Sequence, residues 1–450
     1  MASKYVRTLA NLGLTAALVA LSACSAQKDS NTSEKKSEEP PAVQTVRQIN
    51  DGKPITIKVY QFNAGITDTE FQELLAAPVQ KKYPNVTLEL LRSGKGTTIE
   101  ELIAANAVPD IIYTTTLDMT KFVVLETLAD LNPLIAKTKF DLNQFDQNPI
   151  NSIKMYSDKN ELFALPIRVN WNVLYYNKDI FDRNAIPYPK DGITWEEVLD
   201  IGRKLAAKDP AIRAIDPNAL RLVAQNMLIP FVDPKTDKST VSSPEWKYLF
   251  ELFKAIEEIQ DNKNTKKGVA GFEQDQTLAM YGSSAGRLAE FEDLYNQSKM
   301  PNWDMVTYPI RAGAPTKEQV TQAHILAVSS TSKMKDDVFE IVSFLTTNME
   351  AQEIIAKNGF LPALKDPKLR ELFGKNLKSL EGKNVAAVYK NVYGSMAKPT
   401  RYDDLIKDAN QKAFDQMIKE KLDINTAIRI AQETGDKAIA AEKAKFENAK

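Results

Sequence analysis

The 450-residue chain contains one cysteine and one histidine. No disulfide can close within it, and no Cys/His zinc cluster or H-E-x-x-H site can form. Net charge is almost absent too. Lys and Arg total 58, Asp and Glu total 59, and the formal net charge is −1. A chain so balanced has no electrostatic footprint for nucleic acid. No run at the N-terminus reaches the ~20 apolar residues that a membrane-spanning helix needs. Hydrophobic residues make up 43% and charged residues 26%, the balance of a soluble globular protein. The length calls for two domains or lobes. Nothing here implies a metal or a cofactor.

The first 23 residues carry Lys4 and Arg7, then an apolar stretch from about Leu9 to Ala20, then small residues. That order is a secretory signal. Asn11 and Gly13 interrupt the apolar stretch, which argues against a retained anchor. Leu21-Ser22-Ala23-Cys24 resembles the bacterial lipobox, in which the cysteine becomes the lipidated first residue. Residues 25–50 are rich in Ser, Glu, Lys and Pro and cannot bury enough surface to order themselves. They read as a flexible tether, with the folded body starting near Lys53.

The folded body alternates strands and helices. ITIKVYQF (55–62), VTLELL (86–91) and PDIIYTT (109–115) read as strands. A helix is expected over Thr69–Lys82, kinked at Pro78. Another is expected over 97–107, where Thr97/Glu100 and Thr98/Glu101 both match the capping box. This βαβαβ order implies a parallel, doubly wound sheet. Ligands in such sheets sit beyond the carboxyl ends of strands, which here are Phe62, Asn63, Thr114 and Thr115. The 193–209 segment is a helix opened by the Thr194/Glu197 box, with Trp195, Val198, Leu199 and Leu205 on one face. HILAVSS (324–330) reads as a strand. Helices follow over 336–347 and 349–359, the second closed by Gly359, and the last 50 residues are helical. The chain is α/β throughout, in two lobes.

Several motifs invite chemistry. Gly282-Ser283-Ser284-Ala285-Gly286 matches G-x-S-x-G between an apolar run and a helical pattern. His324 lies downstream, with Asp293 and Asp304 between. A lipoprotein serine hydrolase using Ser284 is therefore the alternative reading, although no HGGG-type stretch precedes the serine. Arg92–Thr97 lacks the glycine spacing of a phosphate loop and reads as a capped helix start. No spacing marks a carboxylate pair for glycoside hydrolysis. Tyr175 and Tyr176 point to opposite faces of a strand, one expected in core and one at the surface. Trp171, Trp303 and Tyr393 suit a sugar face as well as they suit a core. Trp195 and Trp246 read as core.

Taken in order, "KKYPNVTLELL", "AANAVPDIIYTT", "LFALPIRVNWNVLYYNKDIF", "ITWEEVLDIGRKLAA", "QTLAMYGSSAG" and "ILAVSSTSKMKDDVFEIVSFLTTNMEAQEIIAKNGFLP" resemble the extracellular solute-binding proteins of ABC importers. The family is the one that includes the maltose-binding protein. The resemblance spans roughly residues 53–435. It implies a two-lobed periplasmic-binding-protein-like fold: doubly wound sheets, lobe crossings and a helical C-terminus. Crossings are expected near Ile167–Trp171, Val306–Pro309 and Thr346–Glu350. The domains are then 1–23 signal, 24–52 tether, 53–166 with 307–347 as N-lobe, and 168–305 with 349–450 as C-lobe.

Carried over by position, the resemblance assigns to the cleft Phe62, Asn63, Thr114, Thr115, Arg168, Asn170, Trp171, Tyr281, Ser283, Ser284, Arg287, Gln322, His324 and Tyr393. On a regular strand Arg168 and Asn170 share one face and Trp171 takes the other, so the two polar residues are the better contacts. The aromatic rail of the maltose-binding branch is largely missing. Thr114 stands where that branch has one Trp, and Gly286/Arg287 stand near another. Arg168 and Arg287 suggest an acidic or heavily hydroxylated saccharide. The expected protein is a non-enzymatic monomer on the extracytoplasmic face of a bacterial membrane, lipid-anchored at Cys24. It takes a sugar or oligosaccharide for ABC permease subunits. A ligand sensor for a membrane receptor is a further alternative.

Overall fold

The computed structural model describes residues 48–259, 265–313, 318–394 and 397–448. Signal, lipobox and most of the tether therefore lie outside the described residues. The folded body begins earlier than Lys53, because Ile49 is already fully buried in core.

Fourteen strands are present among the described residues. They are β1 (Ile55–Gln61), β2 (Val86–Arg92), β3 (Ile111–Thr115), β4 (Leu165–Asn170), β5 (Asn172–Asn177), β6 (Arg213–Asp216), β7 (Val232–Asp233), β8 (Lys238–Ser239), β9 (Leu278–Ser284), β10 (Trp303–Thr307), β11 (Glu318–Val320), β12 (Gln322–Val328), β13 (Leu361–Pro362) and β14 (Val392–Gly394). The first sheet has the order β13-β4-β12-β3-β1-β2 and the second β10-β5-β9-β6, and β11-β14 and β7-β8 form two small two-stranded sheets.

The expected parallel unit is real: β1 pairs in parallel with both β2 and β3. The sheet is nonetheless mixed. β12 runs antiparallel to β3 and β4, and β13 antiparallel to β4. These later strands arrive from distant parts of the chain, and local periodicity carries no signal for such pairing.

Local signals set the helices well. Thr98 and Thr194 close full capping boxes with Glu101 and Glu197. Thr97 does not, because its hydroxyl donates to the Arg92 carbonyl at 2.8 Å. A third box, Thr67 with Glu70, opens the helix Asp68–Phe71. A π-turn over Gln72–Ala76 then leads into Pro78, where a kink was expected.

The apolar residues fall into separate clusters. One gathers β1–β4 and β12 with Phe122, Phe339 and Leu345. The second sheet has a cluster on each face. Leu174 and Tyr176 lie with Trp195, Trp246 and Phe414, whereas Trp171, Val173 and Tyr175 lie with Phe272, Phe291 and Trp303. The pleat thus sends Tyr175 and Tyr176 to opposite faces as expected. Neither is at the surface, because both faces of this sheet are covered.

The first crossing is one residue long. β4 ends at Asn170 in the first sheet and β5 begins at Asn172 in the second, with Trp171 between them. The last crossing comes later than Thr346–Glu350. Ala351, Ile355, Ala363 and Leu369 still pack in the first cluster, and Leu380 is in the third. The helix Met349–Lys357 buries its apolar face beside β4, and β13 hydrogen-bonds to that strand. Helices Asp403–Glu420 and Ile424–Asn448 pack on each other and close the second lobe.

Trp171 is fully buried, donates from Nε1 to the Gly359 carbonyl at 2.8 Å and packs against Phe373. It is a core residue, not a cleft residue. Gly359 caps the preceding helix with φ +80°, and a Cβ there would stand 2.4 Å from Leu288 Cδ1. Gly192 has φ +83° with open space around the same position. Alanine at either site strains the backbone by about 1–3 kcal/mol. Gly359→Ala also clashes, so its denaturation midpoint should fall clearly below that of Gly192→Ala in urea unfolding.

Candidate functional site

The two sheets bring particular strand ends together. In the first, Thr115 pairs with His324 and Gln322 with Asn170. One edge therefore holds the ends of β1, β3 and β4 and the start of β12. In the second, Asn172 pairs with Ser284 and Tyr281 with Asp216. Amide side chains are paired along both edges. Asn170 donates to Gln322 at 3.1 Å, Asn172 to Asn226 at 3.0 Å, and Asn391 to the Asn172 carbonyl at 2.8 Å.

A cavity of about 370 Å³ opens between the halves. Phe62, Asn63, Leu117, Asp118, Lys121 and Tyr156 line it from the first. Gln225, Thr400, Asp403, Asp404 and Lys407 line it from the second. Asn63 holds a left-handed φ of 55°, which asparagine tolerates better than most residues. Its amide donates to Asp118 Oδ1 at 2.9 Å, and the Thr115 hydroxyl donates to Asp118 Oδ2. Thr115 is thus spent on placing Asp118. Phe62 is half-buried, packs edge-on against Phe122 and lies under the Lys121 ammonium at 5.1 Å. Lys121 and Lys407 pair with Glu100 at 3.0 Å and Asp404 at 2.7 Å.

Asp403 opens an 18-residue helix and reaches back to the Thr400 hydroxyl at 2.8 Å. It is buried, and that burial pushes its carboxyl up to about 6. Tyr156 bonds the Thr116 carbonyl, and Lys398 pairs with Asp158 at 2.5 Å across the two halves. Gln225 Oε1, Ser152 Oγ and Thr321 Oγ1 are buried with no partner. All three residues border this cavity or a small void that shares its Tyr156 and Pro399 walls. Such unmet groups cost stability and mark a place for a hydrogen-bonding guest.

Of the fourteen residues expected to touch ligand, Phe62 and Asn63 line this cavity. Asn170 and Gln322 are half-buried, bonded to each other, and do not line it. Thr114 is fully buried within its sheet and does not line the cavity, and its Oγ1 also has no partner. Tyr281 packs on Phe272, Ser283 is buried, and the Ser284 carbonyl accepts from Tyr175 at 3.1 Å. Arg287 pairs with Glu290 at 2.8 Å and Glu273 at 3.6 Å. Tyr393 lines a different groove of about 520 Å³ instead, between Asp146–Pro149, residues 361–370 and 388–393. The smaller cavity is the better site. It lies at the ends of β1 and β3 and gathers convergent polar groups.

Arg168 is the largest departure. It is 2% exposed and faces inward. Its guanidinium donates to Glu70 and to the Gly65 carbonyl, both at 2.6 Å, and to His324 Nδ1 at 3.3 Å. One face lies 4.1 Å from the Phe360 ring. With Arg168 and Arg287 both committed, the case for an acidic saccharide loses its cations. His324 is buried beside them, and Tyr113 Oη lies 2.7 Å from the same Nδ1. Since Arg168 Nε can only donate, Nδ1 is an acceptor and the ring is neutral with its proton on Nε2. Burial, then the Arg168 charge, holds His324 well below its ordinary value. Among the described residues no carboxylate orients it and no bond joins it to Ser284, so they form no hydrolase triad.

Sequence reasoning missed Asp118, Lys121, Tyr156, Gln225 and the 400–407 segment. Asp118, Lys121 and the 400–407 segment left a trace. Residues 117–121 follow directly on the PDII strand, and Thr400/Asp403 has the [ST]-x-x-[DE] spacing of a helix start.

The sequence model of the bacterial extracellular solute-binding proteins matches residues 63–352. The chain belongs to that family. Solved structures share its fold at low identity. One is an ABC substrate-binding protein of Listeria monocytogenes in complex with cycloalternan. It has a TM-score of 0.71 at 18% identity, covering 86% of this chain and 100% of that one. The sugar-binding protein MalE of Xanthomonas citri gives 0.67 at 16%, covering 87% and 99%. UgpB of Mycobacterium tuberculosis in complex with glycerophosphocholine gives 0.67 at 16%, covering 86% and 99%. The fold is thus the two-lobed α/β fold of these binding proteins.

Two predictions follow from the buried cluster. Arg168→Met strands Glu70 and should cost about 3–5 kcal/mol, and adding Glu70→Gln should recover much of that in urea unfolding. The second concerns pH. Burial tends to raise Glu70, but Arg168 outweighs it and holds the carboxyl below its usual range. Both Glu70 and His324 are depressed in the folded chain. Each therefore adds stability above its unfolded value and loses it as pH falls. For His324 that loss begins near 6.5, at up to about 1.4 kcal/mol per pH unit. The raised Asp403 carboxyl works the other way as pH falls through about 6, so the melting temperature should drop only modestly between pH 7 and 5, and less in His324→Asn.

Proposed function

We propose that the chain captures a sugar or oligosaccharide between its lobes and hands it to an ABC permease, with no catalytic step. The observation that carries this is the cavity between the lobes. Its walls combine hydrogen-bonding side chains with the Phe62 and Tyr156 rings and a few aliphatic groups, and buried acceptors beside it lack partners. That chemistry suits a hydroxyl-rich guest, whose many donors would meet Asp118, Asp404 and Gln225 while a ring face covers Phe62. Family membership and the sugar ligands named for several fold neighbours support the same reading. Lobe closure about three crossings would exclude water and offer the permease one shape.

In this reading the chain is extracytoplasmic and monomeric, tethered through a lipid on Cys24. The lobes are 48–170 with 318–370, and 171–313 with 380–448. Phe62, Asn63, Asn170 and Gln322 remain ligand contacts, joined by Asp118, Lys121, Tyr156, Gln225, Asp403, Asp404 and Lys407.

A saccharide panel read by thermal shift tests this. A true ligand at 100 times its dissociation constant should stabilise the protein by about 2.7 kcal/mol. Asp404→Ala should weaken that binding ten-fold or more without lowering the melting point of the free protein. A panel that shifts nothing, or a saccharide that is consumed, would overturn the reading.

A further inference from the structure

The charge of the cavity wall is uneven. Glu100, Asp118, Asp403, Asp404 and Glu442 face it against Lys121, Arg401 and Lys407. Lys121 and Lys407 are held by Glu100 and Asp404, and Glu442 by Lys445 at 3.0 Å. Arg401 stands exposed on the rim. Two carboxylates have no cation paired to them among the described residues. Asp118, from the first lobe, has only Asn63 and Thr115. Asp403, from the second, is hydrogen-bonded by the Thr400 hydroxyl and N–H and feels the Lys407 charge, which is itself paired with Asp404. A separate observation points the same way. Gln225 is 3% exposed, lines the same cavity, and its Oε1 acceptor has no partner. The unmet wall is therefore made of acceptors and negative charge, contributed by both lobes.

We infer that the saccharide this cleft selects carries a protonated amino group, held between Asp118 and Asp403 with Gln225 as a further acceptor. This rests on the saccharide-binding reading and narrows it to amino sugars. An ammonium group brings three donors and one positive charge, and bonds to carboxylates are the stronger kind. The same contact couples binding to closure. Drawing the lobes together brings two carboxylates into one enclosed space, which like-charge repulsion opposes. A cation between them removes that opposition. Burial already pushes Asp403 up to about 6, the mark of a carboxylate kept where its charge is unwelcome until a partner arrives.

Titration calorimetry on the full chain at pH 7 tests this with glucosamine oligosaccharides, their N-acetylated forms and glucose oligosaccharides of equal length. The amine form should bind at least ten-fold more tightly than either neutral form, with affinity falling as salt rises. Asp118→Asn and Asp403→Asn keep side-chain size. Each should remove most of that preference, weakening the amine form at least ten-fold more than it weakens the neutral forms. Equal or tighter binding of the neutral forms by the unmodified chain overturns the inference and leaves the saccharide reading standing. So does an equal loss for amine and neutral forms in the Asn variants. If no saccharide of any kind binds, both readings fall.

Discussion

A guanidinium sealed inside a sheet must have its donors met, and Arg168 meets them in a way that organises the first lobe. Glu70 is the key partner. Its Oε1 takes the Arg168 bond and its Oε2 accepts from the Thr67 N–H that starts the next helix. One carboxylate therefore ties the lobe-crossing strand to the loop that follows β1. That loop carries Phe62 and Asn63 into the cavity. Removing either charge would leave the other buried and uncompensated, which is far costlier than never having the pair. On the far side, Trp171 is buried in the second sheet's cluster with Val173 and Tyr175, and its indole N–H donates back to the Gly359 carbonyl of the first lobe. The crossing is thus anchored in both lobes within four residues, and bending can concentrate at Asn170 and its neighbours.

The cleft follows from strand direction. Parallel strands β1 and β3 end at one edge, and the antiparallel β12 begins there, so loops and chain turns from distant sequence meet in one place. Polar side chains at such ends need partners, and where the protein does not supply them a ligand can. Asp403 shows the cost of that arrangement. Burial disfavours its charge, and the Thr400 contacts only partly offset this. A site of this kind trades stability for recognition.

Much of the architecture was legible in the sequence. Two capping boxes, the β1-β2-β3 unit, the opposite faces of Tyr175 and Tyr176 and the two-lobed class all follow from residue order and period. The site was less legible. Arg168 on a strand with Asn170 looks like a polar face meeting solvent, yet Glu70, Gly65 and Phe360 enclose it from elsewhere in the chain. Asp403 and Lys407 lie hundreds of residues from Asn63 and Asp118 in the chain, and local pattern says nothing about which distant segments share a cavity.

The sequence by itself therefore determined the local elements, the absence of disulfide and Cys/His zinc chemistry, and the family. Those depend on neighbours in the chain, on composition and on the order of motifs. Only the tertiary structure decided which polar residues are spent inside and which face the cleft. That choice is made by long-range pairing, which satisfies Arg168 within its lobe and leaves the acceptors of Asp118, Gln225 and Asp403 turned toward a shared space.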